Sequence, residues 1–264
     1  MNISNSVLYN DQELSLDDFR EFLEEINKAF NHLIEECNSG FNVDDFLFRF
    51  ITEHDWIVYL KNSIKFGWYW VSDEYVNYDI RECIERYNDG KDSYDSFMSE
   101  KIEASIHDIK SAILSSNSSR AHIINEAFSL FDDGRYFSCI PLFLSQSDGI
   151  VKETFNKSLF DKAKERSKFI KRKMDNAKSM ISDVSKSDVA VETLFLLTQM
   201  DGDLYSYFIE HTDKAIGKKG FAPNRHAILH GDVNYLDYGT KLNSLKCIAL
   251  LSYVSELKIY FTAN

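Results

Sequence analysis

At 264 residues the chain is long enough to bury a sizeable core, as one large domain or two modest ones. Its formal charge of -12 excludes a protein that coats nucleic acid nonspecifically, because that affinity comes from many lysines and arginines meeting phosphates. Proline occurs only at Pro141 and Pro223, glycine only ten times, and alternating apolar and polar runs are nearly absent, so the composition predicts an all-α protein.

The first residues, Met1 to Asn5, lack the basic flank and apolar stretch of a leader, and no apolar run approaches bilayer length. A soluble, cytoplasmic protein with no membrane contact is expected. Cys37, Cys83, Cys139 and Cys247 are far apart, without zinc-ribbon or redox spacing, and are expected as reduced thiols. The charge is unevenly spread: residues 1 to 100 hold 22 acids and 8 bases, whereas residues 152 to 178 hold 10 bases and 4 acids. A local anion-binding surface therefore survives the acidic total.

Ser15 and Asp18 form a capping pair ahead of Phe19, Phe22, Leu23, Ile26, Phe30, Leu33 and Ile34, which predicts an amphipathic helix ending near Ser39-Gly40. The following region holds Trp56, Trp68 and Trp70, which are expected to pack the core of an N-terminal unit. After the polar stretch from Tyr87 to Asp92, a helical stripe runs from Phe97 through Met98, Ile102, Ile106, Ile109 and Ile113 to Leu114. The run from Ser115 to Ser119 is the best linker or helix-cap candidate, so the division is placed there: residues 1–117, acidic and aromatic-rich, and residues 118–264.

Further on, the pattern predicts a helix near 119 to 131, a turn at Asp132-Asp133-Gly134, and a helix from Tyr136 to Asp148-Gly149 that Pro141 kinks or opens. More helix is expected in the basic stretch from Lys152 to Lys178 and from Ser187 to His211, and Thr240 caps a final helix carrying Leu242, Leu245, Ile248, Leu251 and Val254.

Between these apolar helices lies the octet Asn224-Arg225-His226-Ala227-Ile228-Leu229-His230-Gly231. Arginine supplies a planar, permanently charged fork for phosphate oxygens, and histidine gives or takes a proton near neutral pH. Pro223 and a capping Asn224 predict a short helix starting near Arg225 and stopping at Gly231, with its positive end toward a phosphate. His226 and His230 then share a face, whereas Arg225 and His230 diverge by about 140°. Action of both on one phosphate requires a cleft that both flank, or two copies meeting.

The sequence Arg225, polar His226, three more positions and His230, set between apolar helices, resembles the Arg-x4-His signature of the HEPN superfamily of helical domains. The resemblance covers residues 119 to 262 and implies a HEPN-like helical bundle in the C-terminal half, with an additional helical N-terminal region. It implies a metal-independent endoribonuclease of the kind found in bacterial toxin-antitoxin and antiphage systems, working on RNA as a homodimer with a composite site and needing no cofactor. His230 would be the general acid or base and Arg225 would stabilise the charge growing on the phosphoryl oxygens. An antitoxin or regulatory protein is a further implied partner. Some HEPN domains serve instead as noncatalytic RNA- or nucleotide-binding or dimerisation modules.

Around this pair, Asn224, His226, Tyr235, Tyr238 and Asn243 are supporting candidates. Tyr235, Asp237, Tyr238 and Asn243 either fix the His230 tautomer and contact a ribose, or serve as turn and capping residues leading into the last helix. Lys214, Lys218 and Lys219 form a basic loop ahead of the octet, and Lys168, Lys171 and Arg172 lie in the basic stretch; both are RNA-backbone candidates, or solvated surface. His226, His230 and His211 carry nitrogen ligands, but Ala227 stands where a zinc protease has its glutamate, and no metal is assigned.

Overall fold

The computed structural model describes residues 63–72, 75–156, 168, 170–173, 175–176, 199, 208 and 221–262. Among them every regular element is helical, and no strand occurs. The helices are α1 (Ile80–Asn88), α2 (Lys91–Ala104), α3 (Ile106–Ser116), α4 (Ala121–Asp132), α5 (Tyr136–Phe155), α6 (Arg225–His230) and α7 (Lys241–Thr262). Short 3-10 turns occupy Ile64–Phe66, Ser118–Arg120 and Val233–Tyr235. The capping pair at Ser15, the helix after it, Trp56 and Cys37 lie outside the described residues, as does nearly all of 187–211.

The final helix is the axis of the bundle. Thr240 caps it as its sequence predicts, the hydroxyl accepting from the Asn243 N–H at 3.1 Å. From Ser244 to Ser255 every side chain is buried, polar ones included, so the stripe of Leu245, Ile248, Leu251 and Val254 is only part of its buried surface. A helix enclosed on all sides needs no polar face. It packs against α5, α3 and α2, while α4 backs α5. One apolar cluster runs from Ile64 through all these helices to Leu257. No helix among the described residues is long and apolar enough to cross a membrane.

Two predicted boundaries shift. The stripe from Phe97 to Leu114 is broken at Ser105, whose N–H bonds the carbonyl of Ile102 three residues back, tightening the end of α2 before α3 begins. The helix expected to stop at Asp148-Gly149 continues to Phe155 and ends at Asn156, which adopts the left-handed conformation. Gly149 is not a stop signal. The Arg120 guanidinium lies against it where any side chain would stand, while bonding Gln146 at 2.8 Å and Glu153.

Pro141 sits in the second turn of α5 and lacks the N–H that would reach the Phe137 carbonyl. The Tyr238 hydroxyl donates to that carbonyl instead, at 2.9 Å, and Phe137 lies over Gly239. The Ser115–Ser119 run does end one helix and lead into the next. Its Asn117 is nonetheless buried, donating to Ile113 O and Ser255 Oγ at 2.9 Å and accepting from Lys258. The elements on both sides of the 117/118 division share one core.

Residues 63–72 meet the approach to the octet. Gly67, at φ +82°, lets the backbone of Phe221 and Ala222 come close, and Phe66 stacks on Phe221 at 6.3 Å. A methyl group at Gly67 would lie 2.5 Å from the Phe221 carbonyl oxygen and 2.6 Å from the Ala222 side chain. Gly67→Ala is therefore expected to cost about 2–4 kcal/mol, left-handed strain plus overpacking. Gly231→Ala, at φ +67° with open space around it, should cost only about 1 kcal/mol or slightly more. Urea denaturation of the two variants checks the difference, and equal costs would contradict the contact.

Candidate functional site

The octet folds as its capping residues dictate. Asn224 is buried, and its side-chain oxygen accepts from Ala227 N at 3.0 Å. At the other end Gly231 is left-handed; its N–H bonds Ile228 O, and Asp232 N bonds Ala227 O at 2.9 Å, the paired bonds of a Schellman stop. The helix spans Arg225–His230, the predicted bounds. Both ends of this short turn are thus fixed, which a six-residue helix cannot achieve through propagation alone.

Buried Ala227 and Ile228 hold the helix down, Ile228 joining the main core and Ala227 pairing with Tyr235. Of the candidate side chains, Arg225 and His226 are half-buried and His230 is exposed. The two imidazoles lie nearly parallel, centroids 6.0 Å apart with 10° between planes, so they share a face as the spacing predicts. At the N-terminal end, Arg225 N donates to Phe208 O at 3.1 Å and Ala227 N to Asn224. Two of the backbone donors that a phosphate would meet at that end are already engaged.

The supporting candidates divide. Asn224 is the cap, Tyr238 bonds Phe137 O, and Asn243 donates its amide to Tyr238 O at 2.9 Å. These three build the turns on either side of α6. Burial raises the Tyr238 phenol above its ordinary value, with the nearby Cys139 adding to it. Tyr235 is buried beneath Ala227. Lys168, Lys171 and Arg172 are exposed, while Ile170 beside them is buried, the arrangement of a helix with one solvated face. Lys214, Lys218, Lys219 and His211 lie outside the described residues. Among the described residues no group of three or more His, Cys, Asp or Glu side chains is placed to hold a metal. Cys83, Cys139 and Cys247 are buried, and none of the three forms a disulfide.

Phe137, Leu229, Val233 and Leu236 are four of the five exposed large apolar side chains among the described residues, at 43% to 75% exposure. Leu229 belongs to α6, Val233 and Leu236 open and close the 3-10 turn after it, and Phe137 is joined to this corner through Tyr238. An apolar surface thus borders the arginine and histidines.

Sequence reasoning missed the charged cluster that supports the approach to the octet. Lys246 on α7 is fully buried, with its ammonium 2.6 Å from Phe221 O and 2.8 Å from Asp95 Oδ1. Asp95 also accepts from the Trp68 indole and from Lys91, each at 2.7 Å. The one available signal was a lysine inside the apolar run from Leu245 to Val254. Burial pushes Lys246 down to about 8, against the opposing pull of Asp95. Partial burial opposes the charge on Lys91 too, but there the hydrogen bond and charge of Asp95 prevail and raise it.

Between about 8 and 10.5 the folded state binds fewer protons at Lys246 than the unfolded state, so this group's contribution to stability rises with pH across that window. Its burial cost is fully present below pH 8. The buried thiols Cys139 and Cys247 and the Tyr253 phenol, all raised by burial, act in the opposite direction at alkaline pH. The measurement is therefore a difference: relative to Lys246→Met, wild type should gain up to about 2 kcal/mol between pH 7 and about pH 9.5 in urea melts. A flat difference would mean the lysine does not titrate in that range. No protein-family model, curated protein or solved structure matches this chain, so the likeness to HEPN domains rests on the octet and its helical setting.

Proposed function

We propose that the protein is a metal-independent endoribonuclease whose site is built on Arg225 and His230. The observation that carries this reading is the short helix itself, fixed by protein bonds at both ends yet presenting a guanidinium and an accessible imidazole. His230 moves a proton to or from the ribose 2′-hydroxyl as it attacks the adjacent phosphate, and Arg225 balances the charge on the phosphoryl oxygens. A 2′,3′-cyclic phosphate and a 5′-hydroxyl result, and DNA, lacking the nucleophile, is not cut. The reaction needs no cofactor.

Because Arg225 and His230 point about 140° apart on a regular helix, one phosphate reaches both most readily between two copies. The apolar surface of Leu229, Val233, Leu236 and Phe137 supports a homodimer at this corner. A role in toxin-antitoxin or antiphage defence in the cytoplasm, under an antitoxin or other regulatory protein, follows from the HEPN resemblance alone. The same apolar border favours the second reading, a noncatalytic RNA-binding or dimerisation module.

The deciding experiment incubates the purified protein with structured RNA in EDTA beside His230→Ala and Arg225→Ala. Cleavage by wild type with cyclic-phosphate ends is expected; equal cleavage by all three overturns the assignment. Tight, salt-sensitive RNA binding without cleavage would establish the second reading.

A further inference from the structure

We infer that half-buried His226 and exposed His230 together form a chelate for a borderline divalent transition ion, zinc foremost, on their shared face of α6. The two imidazoles stand four residues apart on a helix whose backbone is fixed at both ends, with planes 10° from parallel and centroids 6.0 Å apart. Zinc holds imidazole nitrogens at about 2.0–2.1 Å with a near-tetrahedral angle, which brings two ring centroids to roughly 5 Å. A metal lies in the plane of each imidazole that binds it, so the nearly parallel rings must turn toward a common point as well as close by about 1 Å, both through side-chain rotation.

Each ring ligates through one nitrogen and keeps the other for a protein or solvent contact, as ligating histidines commonly do. Two nitrogens and no carboxylate select zinc, copper or nickel over magnesium and calcium, which take oxygen. No third His, Cys, Asp or Glu ligand is placed beside the pair among the described residues, so water completes the shell and the ion exchanges readily. The position right after His226 is Ala227, so the site lacks the glutamate that would make bound water a hydrolytic reagent.

Zinc here is a ligand and not the cofactor of the proposed cleavage. The His230 nitrogen that holds the metal cannot carry a proton, so occupancy would switch cleavage off; that consequence rests on the ribonuclease reading, whereas the binding does not.

The test uses tag-free, metal-free full-length protein titrated with zinc sulfate against a chromophoric zinc indicator. Wild type and His122→Ala, a change at an exposed histidine on α4, should bind alike. His226→Ala and His230→Ala should each lose one site or weaken it by roughly tenfold or more. In wild type, the His226 and His230 ring resonances should shift together at substoichiometric zinc and stay unmoved in magnesium. Unchanged zinc binding in His226→Ala, or rings that do not respond while zinc binds elsewhere, would overturn the proposal, whether or not RNA is cut.

Discussion

Asp95→Ala is expected to destabilise the protein by about 3–5 kcal/mol, the cost of removing one partner from a buried ion pair. The carboxylate is nearly buried and serves three donors: the Lys246 ammonium, the Lys91 ammonium and the Trp68 indole. Without it, Lys246 stays at zero exposure with the Phe221 carbonyl as its remaining acceptor, and the Trp68 N–H loses its acceptor. Lys91 is the least affected, since it reaches solvent. Asp95→Asn keeps the volume and one accepting oxygen but not the charge, and should fall between wild type and alanine. Adding Lys246→Met removes the uncompensated charge, so the double variant should recover part of the loss. Urea midpoints for wild type, Asp95→Ala, Lys246→Met and the double variant close the cycle. A cost below about 1 kcal/mol for Asp95→Ala would show that the cluster is solvated.

The consequence reaches the octet. Lys246 holds Phe221 O, Gly67 makes room for the same residue, and Phe66 stacks on its ring. Pro223 and Asn224 then carry the chain into α6. The segment 63–95, whose tryptophans Trp68 and Trp70 were expected to pack a core and do so, also braces the stretch that delivers Arg225.

The parts of the site set by neighbours in sequence were legible. The bounds of α6 were readable from Asn224 and Gly231, because a cap is a bond between residues three or four apart. The His226–His230 face followed from the helical repeat, and Thr240 from its own capping bond. What local polarity does not reveal is tertiary placement. The serines and asparagine at 115–119 read as a linker or cap and do end α3, but Asn117 also bonds Ser255, 138 residues away. Gly149 read as a stop, yet it seats the guanidinium of Arg120. Asp95 is one of 22 acids in residues 1 to 100, and only packing α2 against α7 reveals its partner.

In single-turnover cleavage of RNA, His230→Ala is expected to lower the rate by about 10²–10⁴, the usual worth of a positioned acid or base. Arg225→Ala should cost about 10²–10³, as loss of one group stabilising transition-state charge does. Arg225→Lys keeps the charge and loses the planar fork, so it should recover only part of that activity. If both groups serve one transition state, the double variant will be less impaired than the product of the single effects. The geometry adds a sharper expectation. With the two side chains about 140° apart on a helix of six residues, a dimer would pair Arg225 of one copy with His230 of the other. Mixing the two inactive single variants should then restore cleavage, because each mixed dimer holds one intact pair. Equal activity in all variants would remove Arg225 and His230 from the chemistry, and inactive mixtures of inactive variants would place the pair within a single chain.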